Sequence, residues 1–477
     1  MEEKGHALLS ERFKDHFPYE PTKCQSKAME RIARFLALSS AGDSYVLKGY
    51  AGTGKTTLIA VLVDVLKKEG LSSVLLAPTG RAAKVVSSYA LQPAFTIHRR
   101  IYRTRIKDGV YAGFSLNPNK SKNTLFIVDE ASMISEGTTS LNFKGNNLLE
   151  DLITFVKSGE NCKLIFVGDS AQLPPVGESK SPALDARRLM EKYSVRTGTF
   201  ELTEVVRQSS ETGILFNATQ IRDHIRNDQS CPKLDLNFDD FKKVEAFDLP
   251  EILMDSYRSN GPDEVIVVCR SNLTALNYNK QIRYQGLYFD DELSVGDRLM
   301  CVKNNYFWLE QQSSLGFIAN GDTMIVIAVR SIKKRFGFRF ADLTLQIADQ
   351  PNQPSFDAVI ILDSLYSKGP SLAVEDFKKL YQEIVNSSEN DLTASEKKKL
   401  YSSNVYLNAL QVKFAYAVTC HKAQGGQWKT VLIDRGFISS EDHEKVDYQR
   451  WLYTAITRAT EEVYLIGFSD SELKSSI

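Results

Sequence analysis

Two α/β lobes, each a parallel sheet covered by helices, are the fold class that this sequence predicts. Three observations carry the prediction. Short β-branched runs alternate with helical patterns from about residue 44 onward, the rhythm of strand–helix–strand crossovers. A second set of such runs follows from Glu264. At 477 residues the chain is also too long for one hydrophobic core, so two or more domains are expected.

In the first set, Tyr45–Gly49, Ser73–Ala77, Leu125–Asp129 and Leu164–Gly168 read as buried strands ending at polar or glycine-bearing loops. Thr56–Lys68 lies between the first two. It has apolar residues at helical spacing and closes on Lys67–Lys68 and Gly70. Glu264–Cys269, Thr430–Ile433 and Val463–Ile466 form the second set. Two stretches break the rhythm. Arg99–Asn119 alternates polar and apolar residues around Asp108–Gly109, the pattern of a β-hairpin. Its turn sets Ile106 opposite Tyr111 and Lys107 opposite Val110. Val295 to Asp363 is β-rich, with a turn at Asn320–Gly321, and predicts a small antiparallel barrel. Glu375–Asn404 is charged and helical in pattern, with Thr393 leading into Ser395–Leu400.

Composition narrows the function classes. With 43% hydrophobic and 25% charged residues, the chain is not a disordered, collagen-like or disulfide-stapled protein. Basic and acidic residues number 59 each, so a polyanion would have to be met by a local basic lining rather than by net charge. No two of Cys24, Cys162, Cys231, Cys269, Cys301 and Cys420 have the spacing of a zinc knuckle or redox pair, and buried free thiols are expected. The start carries no apolar signal core, and no stretch approaches membrane-spanning length. The expectation is a cytoplasmic protein without a membrane partner.

Gly49–Tyr50–Ala51–Gly52–Thr53–Gly54–Lys55–Thr56 fits the P-loop pattern and stands between a strand and a helix. Its glycines let backbone amides turn around phosphate oxygens at the positive end of the following helix. Lys55 would reach the β- and γ-phosphates of ATP, and the Thr56 hydroxyl would bind Mg²⁺. Gly49, Ala51, Gly52, Thr53, Gly54 and Thr57 complete the expected nucleotide contacts. At the end of Phe126–Ile127–Val128–Asp129–Glu130, Asp129 is placed to hold Mg²⁺ and Glu130 to take a proton from the attacking water.

A P-loop alone implies only nucleotide binding. Further stretches resemble, in order, the motifs of superfamily 1B helicases of the RecD-like and Dda-like group. Pro18–Gln25 resembles the Q-motif that reads adenine, Ala77–Lys84 motif Ia and Thr96–His98 motif Ib. Gly168–Gly177 resembles motif III, Leu202–Gln208 motif IV, Tyr416–Gly425 motif V and Tyr453–Ala459 motif VI. The resemblance runs from residue 18 to 459. It departs from the family where Gly426 and Gln427 replace a frequent Ser-Glu pair, followed by Trp428.

The resemblance implies two RecA-like lobes around one ATP. It divides the chain into lobe 1 (residues 1–98 and 122–200), a pin hairpin (99–121), lobe 2 (201–300 and 409–477) and an SH3-like insertion with a helical segment (301–408). Arg207 and Arg458 are the candidate γ-phosphate arginines, suited by their planar guanidinium groups to spreading that charge. Gln172 would orient water or sense the γ-phosphate, and Gln25 would contact the nucleotide. Pro78, Thr79, Lys84, His98, Thr419 and His421 are the expected contacts to single-stranded DNA. Arg103, Arg105, Lys107, Tyr111 and Phe114 are the expected pin residues that part a duplex at a junction. The implied activity is 5′→3′ DNA helicase action by a monomer. An RNA helicase of the same superfamily and an ATP-switched binding module without processive unwinding remain the alternatives.

Overall fold

The computed structural model describes residues 2–107, 110–137, 147–206, 212–245, 247–309, 317–348, 354–387, 393–439 and 445–474. Lobe 1 contains β1 (Ser44–Gly49), β2 (Ser72–Ala77), β3 (Ala94–Thr96), a hairpin of β4 (Tyr102–Lys107) and β5 (Val110–Leu116), β6 (Thr124–Val128), β7 (Lys163–Gly168) and β8 (Thr197–Leu202). Outside the hairpin these strands form one parallel sheet in the order β3-β2-β6-β7-β1-β8. Every residue of β6 is buried, as an uninterrupted apolar strand covered on both faces must be. Helix Lys55–Lys68 packs Leu58, Leu62 and Val65 on one face with Leu47 and Ile127. On the other face Val46, Phe126 and Phe166 meet helix Leu148–Lys157.

Lobe 2 contributes β9 (Phe241–Val244) and β10 (Val265–Cys269). The chain then builds a barrel from β11 (Arg298–Cys301), β12 (Thr323–Arg335), β13 (Phe338–Ile347), β14 (Phe356–Ile361) and β15 (Leu410–Phe414). It returns through β16 (Ala417–Thr419), β17 (Trp428–Asp434) and β18 (Ala459–Ile466), giving a parallel sheet ordered β16-β10-β17-β18-β9. Asp297 is fully buried at the barrel entry, where Arg283 Nε donates to it at 2.7 Å and Tyr416 Oη at 3.1 Å. Removing one partner from such a pair costs about 3–5 kcal/mol, so this cluster fixes how the barrel leaves the lobe.

Several sequence expectations change. The barrel does not close within Val295–Asp363, because its fifth strand is Leu410–Phe414, beyond helices Val374–Asn386 and Ala394–Ser403. A closed barrel needs a strand bonded on both edges, and β15 pairs antiparallel with β11 but parallel with β14, so the barrel is not wholly antiparallel as expected. The hairpin begins at Tyr102 rather than Arg99. Thr96 accepts from the Arg99 amide and caps a helical turn over Ile97–Ile101. Within the hairpin Ile106 pairs with Tyr111 and Lys107 with Val110, with a bulge between these pairs and Thr104–Phe114. Asp108–Gly109 lies outside the described residues. Thr393 caps its helix as a full capping box with Glu396. Cys162, Cys269, Cys301 and Cys420 are buried free thiols, whereas Cys24 and Cys231 are only half-buried. No helix among the described residues is long and apolar enough to cross a membrane.

Candidate functional site

β1 lies between β7 and β8, so the chain emerges from the sheet at Gly49 in a fixed direction. The next turn needs left-handed backbone at Gly52 (φ +73°) and Gly54 (φ +81°). A Cβ on Gly54 would also stand 2.5 Å from Gln25 Nε2 and displace that side chain. Helix Lys55–Lys68 starts without a side-chain cap, which leaves first-turn amides available to an anion. Gln25 is buried beside this turn. Its Nε2 donates to Thr53 O at 3.1 Å and its Oε1 accepts from Thr22 N at 2.9 Å, so both ends of the amide already have protein partners. Lys55 Nζ and Thr53 Oγ1 both donate to Tyr50 O at 2.8 Å. Val206 N donates to Gly52 O at 3.1 Å. The adjoining Arg207 lies outside the described residues.

β6 delivers Asp129 and Glu130 next to this loop. Glu130 holds a left-handed backbone (φ +50°), which is uncommon for a residue with a side chain and is a form of strain concentrated at working sites. Its amide donates to Asp129 Oδ1 at 2.9 Å. Burial, and then the Glu130 carboxylate, push the Asp129 pKa up, while Lys55 opposes them. A divalent cation would reverse this effect by stabilising the carboxylate. Among the described residues no group of three or more His, Cys, Asp or Glu side chains could hold a metal by itself. The Asp129 carboxylate and Thr56 hydroxyl therefore suit an ion that brings most of its oxygens from a nucleotide and water.

The second lobe closes on this site through helix Val446–Ile456. Tyr453 Oη donates to Asp169 Oδ2 at 2.6 Å and accepts from Ala51 N at 2.8 Å, joining P-loop, motif III and motif VI through one phenol. Thr454 Oγ1 accepts from Leu173 N at 2.9 Å, and Gln424 Nε2 donates to Leu173 O at 2.7 Å. Arg458 is buried, donating to Thr454 O at 3.0 Å and Gly426 O at 3.2 Å, with its guanidinium 3.7 Å from Glu130 Oε1. Gln172 is also buried, and its Oε1 has no hydrogen-bond partner.

Motifs Ia and V meet elsewhere along the cleft. Thr79, Arg81, Lys422, Gln424 and Trp428 line one hollow with Arg298 and Gly321 of the barrel. Thr79 caps helix Gly80–Ala90, while Lys84 is exposed on that helix. Pro78 is half-buried just before the cap. Thr419 stands at the start of the short helix Cys420–Ala423, where His421 is exposed. His98 is packed between the Tyr102 and Phe317 rings, and burial pulls its pKa down to about 4. At neutral pH it offers a ring and a hydrogen bond rather than a positive charge. Arg103 is exposed and its Nε donates to Ser115 Oγ at 3.2 Å, holding the base of the hairpin. Arg105, Lys107, Tyr111 and Phe114 have described backbone only.

The structure adds residues that the sequence did not single out. Tyr453 opens the motif VI stretch without a role assigned to it, and only the fold brings its hydroxyl to Ala51. Arg81 stacks on the Trp428 ring at 3.9 Å and donates to Gln427 O at 2.8 Å. Those contacts account for the glycine in the departure after motif V, because a Cβ on Gly426 would overlap the Trp428 ring; nothing in the structure explains Gln427. Glycine is needed there so that the indole can lie under Arg81.

Comparison with known proteins bears on this geometry. A family model described as an AAA domain matches residues 22–230, and one described as a UvrD-like helicase C-terminal domain matches residues 414–466. An uncharacterised protein of Methanocaldococcus jannaschii is 24% identical over 90% of this chain and 37% of its own length. The ATP-dependent RecD2 DNA helicase of Deinococcus radiodurans is 24% identical over 94% of this chain and 50% of its own length. The chain thus spans half or less of these two relatives. A Bacteroides Pif1 helicase structure with ADP-AlF3 and single-stranded DNA aligns over 95% of this chain and 94% of its own, at 18% identity and a TM-score of 0.46.

Proposed function

We propose that this chain is a RecD-like member of helicase superfamily 1B, an ATP-driven motor that moves 5′→3′ on single-stranded DNA and unwinds duplex DNA. One observation carries the reading. Lobe 2 reaches into the ATP site of lobe 1 twice, with Tyr453 on the Ala51 amide and Arg458 3.7 Å from Glu130. A site built across two lobes can convert the state of a phosphate into a change of lobe spacing.

The P-loop amides of Ala51 to Lys55 would cradle the phosphates, and Lys55 would exchange the Tyr50 carbonyl for them. Thr56 and Asp129 would hold Mg²⁺, which supplies charge neutralisation across the β- and γ-phosphates. Glu130 takes a proton from water as the water oxygen bonds to the γ-phosphorus and the bond to the ADP oxygen breaks. Arg458, with Arg207, spreads the charge that develops. Gln25 braces the loop through Thr53, and Gln172 stands by to orient the water. The hollow formed by Thr79, Arg81, Lys422 and Gln424 would hold the strand backbone, with Pro78, Lys84, His98, Thr419 and His421 as further contacts. As the lobes draw the strand along, the hairpin carrying Arg103, Arg105, Lys107, Tyr111 and Phe114 would stand at the junction as a monomer's wedge.

The test is strand displacement on duplexes with a single tail. Unwinding should require a 5′ DNA tail, and equal activity on a 3′ tail would refute the polarity. Stronger ATPase stimulation by RNA than by DNA would move the assignment to an RNA helicase. ATP binding without stimulation by either would leave a switched binding module. Replacing Arg103–Phe114 with a short Gly-Ser turn should spare DNA-stimulated ATPase and abolish unwinding; unwinding at the wild-type rate would remove the hairpin from the mechanism.

A further inference from the structure

A second chamber, of about 360 Å³, opens between the lobes beside the motif III turn. Its wall takes Tyr50 and Asp169–Leu173 from the edge of the ATP site but no residue from Ala51 to Thr56. Asp169 links the two spaces: it lines the chamber, and its Oδ2 accepts from the Tyr453 hydroxyl that also holds the Ala51 amide.

The lining is strongly basic. Lys48 and Lys180 come from lobe 1, and Arg222, Arg226 and Arg450 from lobe 2. Facing these are the carboxylates of Asp169 and Asp185, and both are engaged. Asp169 accepts from Tyr453 and the Ala171 amide, and Asp185 caps a helix through the Arg188 amide. Arg222 is buried over the Tyr50 ring at 4.9 Å, with Asp223 as its ion-pair partner at 2.8 Å. Arg450 crosses the cleft to donate to Ser179 O at 2.8 Å, while its buried Nε has no partner. Two more wall residues, Ser132 and Gln172, are 1% and 6% exposed and leave Oγ and Oε1 without partners. Five basic side chains from two lobes around one cavity, against two carboxylates that are already engaged, favour an oxyanion such as hydrogen phosphate.

We propose that this chamber binds inorganic phosphate and is the way out for the phosphate cleaved from ATP. The exit role rests on the ATPase reading above; the binding site does not. Its basic groups come from both lobes, so a departing phosphate would hold the lobes together until it leaves, and its loss would release them.

Two measurements separate the claims. On nucleotide-free protein, binding of inorganic phosphate is read by ³¹P line broadening and by the rise in melting temperature. Lys180→Glu and Arg226→Glu change exposed rim residues and should weaken it by at least about fivefold, with circular dichroism verifying the fold. Lys55→Ala should remove at most the share of binding that belongs to the P-loop and keep the share that the rim variants lose. Binding lost in Lys55→Ala but kept in the rim variants would place the anion in the P-loop and overturn the proposal. In a single turnover followed with a fluorescent phosphate sensor, the rim variants should cleave ATP at the wild-type rate and release phosphate several-fold faster. Release at the wild-type rate would overturn the exit role. Wild-type protein that cleaves no ATP would defeat the motor reading and the exit role together, while the binding measurement would still decide for or against the site.

Discussion

Both lobes turn from a buried strand into a helix, and the two turns are built in opposite ways. After β1, Gly52 and Gly54 take left-handed backbone and the helix begins without a side-chain cap. After β10, Ser271 Oγ accepts from Thr274 N at 3.0 Å and closes the start of helix Asn272–Gln281. A capped helix has already spent an amide on its own chain. An uncapped, glycine-lined one keeps its amides for an anion. One architecture thus yields a lobe whose turn is open to an anion and a lobe that contributes side chains to it, among them Tyr453 and Arg458.

The largest way to break this asymmetry is at Lys55 and Glu130. Lys55→Ala should abolish ATP turnover because the loop keeps its amides and loses its mobile charge. Glu130→Gln keeps shape and removes the base, so ATP should bind and remain uncleaved. Nucleotide-binding and turnover assays on both variants check this, and normal turnover by Glu130→Gln would remove that residue from the chemistry.

Tyr453→Phe is the next largest. It leaves the Ala51 amide and the Asp169 carboxylate without their shared partner, at a cost of about 1–3 kcal/mol. Thermal unfolding should show a single lowered transition, together with weaker closure of the lobes on ATP. An unchanged melting temperature and ATP affinity would mean that the phenol does not tie the lobes.

Ser271→Ala should be the mildest. Losing this cap costs roughly 0.5–2 kcal/mol of stability and should leave ATP affinity as it was. A loss of ATP binding would mean that the second turn also serves the nucleotide, and the contrast between the lobes would fail.

How much of this could be read from sequence follows from range. The P-loop, Asp129 and Glu130 are local: a strand, a turn and a helix within a few residues dictate their chemistry. The parallel strands were legible because buried β-branched runs have a period of their own. The barrel's last strand was hidden, since Leu410–Phe414 follows two helices and gains its partners only through closure. The role of Tyr453, first residue of the motif VI stretch, was hidden for the same reason: its bond to Ala51 spans 402 residues of sequence and forms only where the lobes meet. Gly426 looked like a departure from a motif, but the Trp428 ring and Arg81 supply its physical reason.

On the proposed function, the second lobe completes the ATP site when a strand is bound. ATPase rates of wild type and Arg458→Ala, each with and without single-stranded DNA, test it most directly. The wild-type rate should rise steeply with DNA. The variant should bind ATP nearly normally, turn over about 10³- to 10⁵-fold more slowly and respond little to DNA. A variant slowed by less than about tenfold, an effect of roughly 1.4 kcal/mol, and still stimulated by DNA would contradict the account.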